Sequence, residues 1–227
     1  MFPRVKTIHN DNINEVSVNF YDKTQSLEIN KTKCIGCGLC IKACPKGVLY
    51  SKPNEGKVRI NTEDLIPEIP NPLDCSYCGT CAYVCPTSAI FLKKNNKYVR
   101  RKDIGIIAKK VVPNLNFDCV ELTHPETKAK TFIDGEIEVD WEKCVSCMSC
   151  VNVCPTHSFK KQENTDDSKK RIKPVFNADT CIKCGACERA CSKEAIKLKV
   201  RDIRYSGEYK EQFWNSLIER LRISKIY

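Results

Sequence analysis

The cysteines are the residues of this chain whose type and spacing indicate chemistry. Of 17 cysteines in 227 residues, all but Cys119 fall into four runs with spacers of two, two and three residues. The runs are Cys34, Cys37, Cys40 and Cys44; Cys75, Cys78, Cys81 and Cys85; Cys144, Cys147, Cys150 and Cys154; and Cys181, Cys184, Cys187 and Cys191. Thiolates are soft ligands that select iron–sulfur clusters, zinc or Cu(I). Three thiolates at two-residue intervals wrap around one small object, and a helical turn carries the fourth away from it.

Two other residue types recur at fixed places in the runs. Proline follows the fourth cysteine at Pro45, Pro86 and Pro155, and turns the chain there because it fixes its own φ. Glycine follows the second cysteine at Gly38, Gly79 and Gly185, where positive φ lets the backbone approach inorganic sulfide. The third run has Met148 instead of glycine, so we expect a different backbone path, and the fourth has Ser192 instead of proline. These departures either shift reduction potentials or are neutral changes.

The spacing is that of bacterial [4Fe–4S] ferredoxins, in which the fourth cysteine ligates the cluster of the partner motif. Structural zinc usually pairs two CxxC units across a longer loop, which leaves the third and fourth cysteines of each run without a comparable role. The sequence therefore predicts four [4Fe–4S] clusters, with the sixteen cysteines as ligands to iron.

Two pairings of the motifs are open. Pairing neighbours gives the ligand sets Cys34, Cys37, Cys40 and Cys85; Cys75, Cys78, Cys81 and Cys44; Cys144, Cys147, Cys150 and Cys191; and Cys181, Cys184, Cys187 and Cys154. The alternative nests motif one with four and motif two with three. The first cysteines are 41, 69 and 37 residues apart, and the long middle interval favours neighbours.

The same intervals predict an α+β fold with two 2[4Fe–4S] ferredoxin-like domains in tandem. The predicted segments are an N-terminal β extension (1–30), a first ferredoxin domain (31–95), a linker (96–135), a second ferredoxin domain (136–200) and a C-terminal amphipathic helix (201–227).

Strands are expected to lead into and out of the cysteine loops. Five residues before the first cysteine stand Ile29, Val139 and Phe176, which predict incoming strands, and five after the fourth stand Leu49, Ile90, Phe159 and Ile196, which predict returning strands. The second run instead follows Pro67, Pro70 and Pro72, so its entry is not an ordinary ladder strand.

The two termini carry patterns of their own. Val16, Val18 and Phe20 alternate before a turn and predict a small N-terminal hairpin. The C-terminal apolar stripe comprises Phe213, Trp214, Leu217, Ile218 and Leu221. That helix either packs on the ferredoxin domains or docks onto a partner.

The net charge alone excludes few classes of protein. A formal net charge of +10 suggests nucleic acid, but four oxidised clusters of about −2 each leave the loaded protein near ~+2. We therefore expect no nucleic acid. Lys42, Lys46, Lys183 and Arg189 lie near ligands in the sequence, where positive charge favours the more negative reduced state; simple solvated side chains are the alternative.

Other classes of protein are also disfavoured. No apolar run is long enough to span a bilayer, and no secretory pattern opens the chain, so a cytoplasmic location is expected. No known catalytic motif occurs. We expect Cys119 to be a small buried hydrophobe, with a contact to a neighbouring subunit's cofactor as the alternative, and His157 to lie near a cluster or on the surface.

The four runs and their lead-ins, such as residues 137–144, resemble the archaeal polyferredoxins, tandem ferredoxin-type subunits that wire electrons between redox enzymes of anaerobes such as methanogens. The resemblance covers residues 25–95 and 133–200 and points to the polyferredoxin subunits of formylmethanofuran dehydrogenase or energy-converting hydrogenase. It implies a non-catalytic electron-transfer subunit in a hetero-oligomer, with catalytic subunits of a redox complex and a soluble ferredoxin as partners.

Three alternatives remain open. A free ferredoxin-type carrier is one, although free ferredoxins are usually small and acidic. An iron–sulfur subunit of a molybdopterin oxidoreductase is another, although such subunits usually have altered spacings. A structural or nucleic-acid-binding metalloprotein is the third.

Overall fold

The protein is seen here in a computed structural model that describes residues 3–51, 63–104, 113–121, 128–162, 172–207 and 217–223. These parts combine short helices with antiparallel strands, as expected for ferredoxin-type domains. Among the described helices, none is long and apolar enough to cross a membrane.

The first half is built on a five-stranded antiparallel sheet whose strands follow one another in sequence order. They are β1 (Arg4–His9), β2 (Ile13–Asn19), β3 (Thr24–Asn30), β4 (Ile90–Lys94) and β5 (Lys97–Tyr98). β3 enters the first cysteine loop and β4 leaves the second, with Leu27 opposite Leu92 and Ile29 opposite Ile90. All four side chains are buried, so the alternation of apolar residues gives the sheet one face toward the cysteine loops. The N-terminal strands β1 and β2 extend this same sheet.

The second half carries two short antiparallel pairs. β9 (Ile133–Val139) pairs with β12 (Ile196–Ile203), and β10 (Phe159–Lys161) pairs with β11 (Pro174–Phe176). Phe159 faces Phe176 across the smaller pair, with ring centroids 4.7 Å apart. The outer strands thus enter and leave the half, and the inner strands join its two motifs.

The strands predicted around motifs two, three and four are confirmed, whereas the returning strand predicted after motif one is not formed in the described part of the chain. Strands begin at Ile90, Phe159 and Ile196, and Ile29, Val139 and Phe176 lie in incoming strands. At Leu49 the described chain has only an isolated bridge between Tyr50 and Glu68. The proline-rich entry is no ladder strand, as predicted, because Pro72 opens a 3₁₀ turn (Pro72–Asp74) that the Asn71 side chain caps.

Each cysteine run contains one short helix. These are α1 (Leu39–Ala43), α2 (Thr80–Val84), α3 (Ser149–Val153) and α4 (Ala186–Ala190). Each begins just before the third cysteine and ends just before the fourth, so the helical turn separates these two ligands.

The segment between the halves takes part in two further strand pairs. β6 (Asn114–Leu115) pairs with β13 (Tyr205–Ser206), and β7 (Asp118–Glu121) pairs with β8 (Lys128–Thr131). Cys119 lies on β7 and is exposed, so the expectation that it is buried is wrong. It points outward because a two-stranded ribbon has only one face to pack.

The C-terminal helix α5 (Leu217–Arg222) packs where the halves meet. Leu217, Ile218 and Leu221 are buried in one core with residues of α1, α2, β6, β9 and β12. The Arg220 guanidinium donates a hydrogen bond of 2.8 Å to the carbonyl of Cys44. The described part of this helix therefore packs against both halves of the chain. The predicted stripe members Phe213 and Trp214 lie outside the described residues.

Candidate iron–sulfur centres

Three cavities of the structure are each lined by four cysteines. One is lined by Cys44, Cys75, Cys78 and Cys81. Another is lined by Cys144, Cys147, Cys150 and Cys191, and a third by Cys154, Cys181, Cys184 and Cys187. Each set joins three cysteines of one motif to the fourth cysteine of its neighbour, and none of these three cavities combines the motifs in the nested order.

The remaining four cysteines also lie together. Burial raises the pKa of the Cys40 thiol well above its usual value, and Cys37, Cys34, Cys85 and Cys81 raise it further. Cys34, Cys40 and Cys85 pack in one core with the apolar face of the sheet, and Cys44, Cys75 and Cys81 belong to the same core. Three of the predicted ligand sets each line one cavity, and three cysteines of the remaining set lie within this core, close to the set that contains Cys44.

A left-handed backbone recurs at three positions in every motif. It occurs two residues past the first cysteine, one past the second and three past the fourth. The residues are Gly36, Tyr77, Ser146 and Lys183; Gly38, Gly79, Met148 and Gly185; and Gly47, Ser88, His157 and Glu194. Sequence reasoning found only the glycines of the second position. Gly36 and Gly47 in the first motif were the available signal for the other two.

The different backbone path expected at Met148 is not observed. Its φ of 62° and ψ of 7° match the φ of 73–81° and ψ of 4–5° of the three glycines at this position, so its backbone does not take a different path. The motif imposes this conformation even where a side chain makes it costly, by about 1–2 kcal/mol.

The turn after the fourth cysteine aims backbone N–H groups at sulfur. The N–H groups of Ala89, Ser158 and Ala195 donate to the sulfurs of Cys85, Cys154 and Cys191 at 3.2, 3.2 and 3.3 Å. Near the first cysteine, the N–H groups of Tyr77 and Lys183 lie 3.4 Å from the sulfurs of Cys75 and Cys181. Such donors stabilise a thiolate and tune the potential of a cluster bound to it.

His157 belongs to this turn and is a surface residue. Its N–H bonds the carbonyl of Cys154 at 3.3 Å, just as Gly47, Ser88 and Glu194 bond the carbonyls of their own fourth cysteines. Its side chain is exposed. Its role is therefore that of a turn residue, one that glycine fills in the first motif.

The cysteine groups fit an iron–sulfur cluster by two further observations. Burial raises the pKa of the Cys37 and Cys75 thiols to about 11, so they are neutral until a metal displaces their protons. The Ser146 hydroxyl lines the cavity of Cys144 and has no hydrogen-bond partner among the described residues. The Ser192 hydroxyl, beside Cys191 of the same cavity, is buried in the same way. The Ser146 hydroxyl is therefore a donor available to sulfur within that site.

In the described ranges, no three His, Cys, Asp or Glu side chains come close enough to hold a single metal ion. The cysteines of each lined group instead surround one shared cavity. This arrangement suits a cage of iron and sulfide placed between the thiolates.

Family models match this chain over both halves. A 4Fe-4S dicluster domain model matches residues 33–89 and again 125–203, and a second dicluster model matches residues 72–158. The chain belongs to the 4Fe-4S dicluster domain family. Two dicluster domains hold four [4Fe–4S] clusters, so the predicted cofactors are confirmed, and the chain is an iron–sulfur electron-transfer protein.

Individual relatives agree with this family. The chain is 28% identical over 181 residues to the methylamine utilization ferredoxin-type protein MauM of Paracoccus denitrificans, covering 77% of this chain and 67% of that protein. It is 31% identical over 137 residues to an iron-sulfur subunit of the CoB–CoM heterodisulfide reductase of Methanocaldococcus jannaschii, covering 48% of this chain and only 21% of that protein.

A solved structure shares the fold across almost the whole chain. It is a chain of the formate dehydrogenase–heterodisulfide reductase–formylmethanofuran dehydrogenase complex from Methanospirillum hungatei. The TM-score is 0.72 at 20% identity, and the match covers 98% of this chain and 92% of that one. At this identity the likeness concerns the fold.

Proposed function

We propose that this protein is a non-catalytic electron-transfer subunit of a larger oxidoreductase complex of the formylmethanofuran dehydrogenase or hydrogenase type. The observation that carries the proposal is the set of four cysteine groups, two in each half, with motif-one residues packed against the second half. The shared fold with a chain of a complex whose name includes formylmethanofuran dehydrogenase supports the choice of parent enzyme.

The proposed ligands are the sixteen cysteines, paired between neighbouring motifs. The first cluster takes Cys34, Cys37, Cys40 and Cys85, and the second takes Cys75, Cys78, Cys81 and Cys44. The third takes Cys144, Cys147, Cys150 and Cys191, and the fourth takes Cys181, Cys184, Cys187 and Cys154. The three cysteine-lined cavities and the mutual effects among the first set support these groupings.

The role of the chain is to hold, insulate and connect the clusters. Each [4Fe–4S] cluster supplies one-electron redox chemistry when bound. The two-stranded and five-stranded sheets cover one side of the cysteine loops, the N–H groups donate to thiolate sulfur, and α5 closes the junction of the halves. The proposed domains are residues 31–95 and 136–200, flanked by the extension 1–30, the linker 96–135 and the helix segment 201–227.

The proposal includes partners and a location. Catalytic subunits of a redox complex, and a soluble ferredoxin, are the expected electron donor and acceptor. A cytoplasmic location is proposed because a reducing compartment keeps the thiols free to bind iron.

The test is anaerobic purification from the native source, followed by iron and sulfide analysis and an EPR-monitored potential titration. We expect about sixteen irons per chain in reducible [4Fe–4S] clusters, with catalytic subunits co-purifying. Fewer than three clusters, or iron that never changes redox state, would refute electron transfer. Full cluster content in a protein that migrates as a monomer from native lysate would instead establish a free carrier.

A further inference from the structure

The two halves meet at cysteine loops of motifs one and four. Cys37 of motif one packs against the core of the second half, together with Leu65, Cys187 and Phe159. Cys184 of motif four and Ile35 of motif one pack against the same small core of Ala129 and Ile182. Cys37 and Cys184 are both among the half-buried residues that pack against the core of the second half. Proposed ligands of two clusters in different halves therefore pack against one core.

One arginine crosses this junction. Arg189 lies on α4 of the second half, between the ligands Cys187 and Cys191. Its guanidinium donates one hydrogen bond to the carbonyl of Gly36 and another to the hydroxyl of Ser51, both in the first half. Gly36 lies between Cys34 and Cys37, so the arginine holds the loop that carries two ligands of the first cluster.

The charge of Arg189 lies beside the same two ligands. The hydrogen bonds to Gly36 and Ser51 hold its guanidinium against the loop that carries Cys34 and Cys37. The other charged residues of the two short helices are Lys42 on α1 and Glu188 on α4. The positive charge of Arg189 is thus placed beside the ligands of a cluster that belongs to the other half of the molecule.

We propose that Arg189 is a positioning residue that raises the reduction potential of the cluster held by Cys34, Cys37, Cys40 and Cys85 and fixes the crossing of electrons between the halves at Cys37 and Cys184. This inference rests on the proposed function and its ligand sets. At the crossing one electron leaves one [4Fe–4S] cluster, which is oxidised, and enters the other, which is reduced. Because the reduced state is more negative, a nearby guanidinium stabilises it.

The junction also gives the four sites an order. The second and first clusters share the core of the first half, and the fourth and third share the core of the second half. Because Cys37 and Cys184 pack against one core, the first and fourth groups are adjacent, and the order along the molecule is second, first, fourth, third. The two ends of this order are the groups that contain Cys44 and Cys191, and the proposal places the partners there.

The decisive variant is Arg189→Gln in the full chain, prepared anaerobically with all four clusters. EPR-monitored titration is expected to show one cluster whose ratio of reduced to oxidised form at a fixed potential falls about tenfold, which is about 59 mV for one electron. The Cys85→Ser variant identifies that signal, because it removes a ligand of the first cluster alone. Arg189→Lys keeps the charge and is expected to retain most of the potential.

The matched control is Arg201→Gln, which removes an exposed arginine of the same half that pairs with Asp134, away from the cysteines. It is expected to leave all four potentials unchanged. If Arg189→Gln shifts no potential, or shifts only the group of Cys181, the inference is wrong while the proposed function stands. If the wild-type clusters cannot be reduced at all, the proposed function itself fails.

Discussion

Gly79 in the first half and Gly185 in the second occupy the same place in their motifs and have nearly the same backbone, with φ of 81° and 78°. Their surroundings differ. A methyl group on Gly79 would lie 2.7 Å from Cγ2 of Ile104, whereas one on Gly185 would make ordinary contacts with Cδ2 of Leu198 at 3.4 Å and Oε2 of Glu188 at 3.9 Å. The motif therefore dictates the backbone conformation in both halves, while the packing around each loop decides which side chains it tolerates. Met148, at the same position of motif three in the second half, is a side chain that such a loop accommodates.

The sheets of the two halves differ in a similar way. In the first half, Lys93 of β4 pairs with Glu15 at 3.0 Å and Glu28 at 2.6 Å, and all three side chains are at most 15% exposed. In the second half, Lys199 of β12 pairs with Glu138, but these side chains are 57% and 48% exposed. The first sheet buries its charges because β1 and β2 enlarge it, while the second is a two-stranded ribbon open to water.

Replacing a single cysteine ligand is expected to have the largest effect of the substitutions that compare the two halves. We expect Cys85→Ser and Cys191→Ser each to remove one cluster, so that iron falls from about sixteen to about twelve per chain. EPR of each variant should lack a different cluster signal, one from each half. Cys119→Ser is the control and is expected to keep all the iron. Loss of a cluster from the opposite half in either variant would contradict the neighbour pairing.

The two glycines give the next largest effect. Gly79→Ala is expected to destabilise the protein by about 2–5 kcal/mol, because backbone strain adds to the clash with Ile104. Gly185→Ala is expected to cost about 1–2 kcal/mol, since only the backbone strain remains. Denaturant titration followed by loss of the visible iron–sulfur absorbance measures both. Equal costs would show that packing does not distinguish the two loops.

Substituting the buried Lys93 and the exposed Lys199 tests the difference between the two sheets. Lys93→Met is expected to destabilise by about 1–3 kcal/mol, because it leaves Glu15 and Glu28 buried without their cation. Lys199→Met is expected to change stability by less than about 1 kcal/mol, as exposed pairs do. The same denaturant titration compares them.

The Lys93 pair also predicts a pH dependence. Burial opposes charging of Lys93, but its bonds to Glu28 and Glu15 outweigh that and raise its pKa. A raised lysine pKa contributes stability at neutral pH that is lost only as the pH climbs above the ordinary lysine value of about 10.4. The stability difference between wild type and Lys93→Met should therefore shrink at such high pH. A difference that stays constant there would contradict the ionic origin.

Met148→Gly is expected to have the smallest effect, a gain of up to about 1 kcal/mol. Removing left-handed strain of about 1–2 kcal/mol is partly offset by the conformational freedom that glycine brings to the unfolded chain. Met148→Ala keeps the strained backbone and serves as the control. A loss of stability in Met148→Gly would show that the side chain contributes more by packing than its backbone costs.

Much of the site was predictable because its information is local. Spacing and residue type identified all sixteen cysteines and the cofactor, and the residues five positions outside the motifs marked three of the four returning strands, at Ile90, Phe159 and Ile196. The return at Leu49 failed because the chain there meets the proline-rich entry to motif two and makes a single bridge. Cys119 was misjudged because side-chain burial on a short ribbon depends on what packs against it.

The sequence by itself determined which metal centres the chain holds. Three soft ligands of each cluster lie within a few residues of one another, so the spacing of the cysteines identifies the cluster. Only the tertiary structure decided how the motifs group, because cysteines that are far apart in sequence surround one cavity. It alone placed Arg189 beside the ligands of the other half. Contacts across the junction depend on the packing of α1, α4 and α5, and no local pattern of residues encodes them.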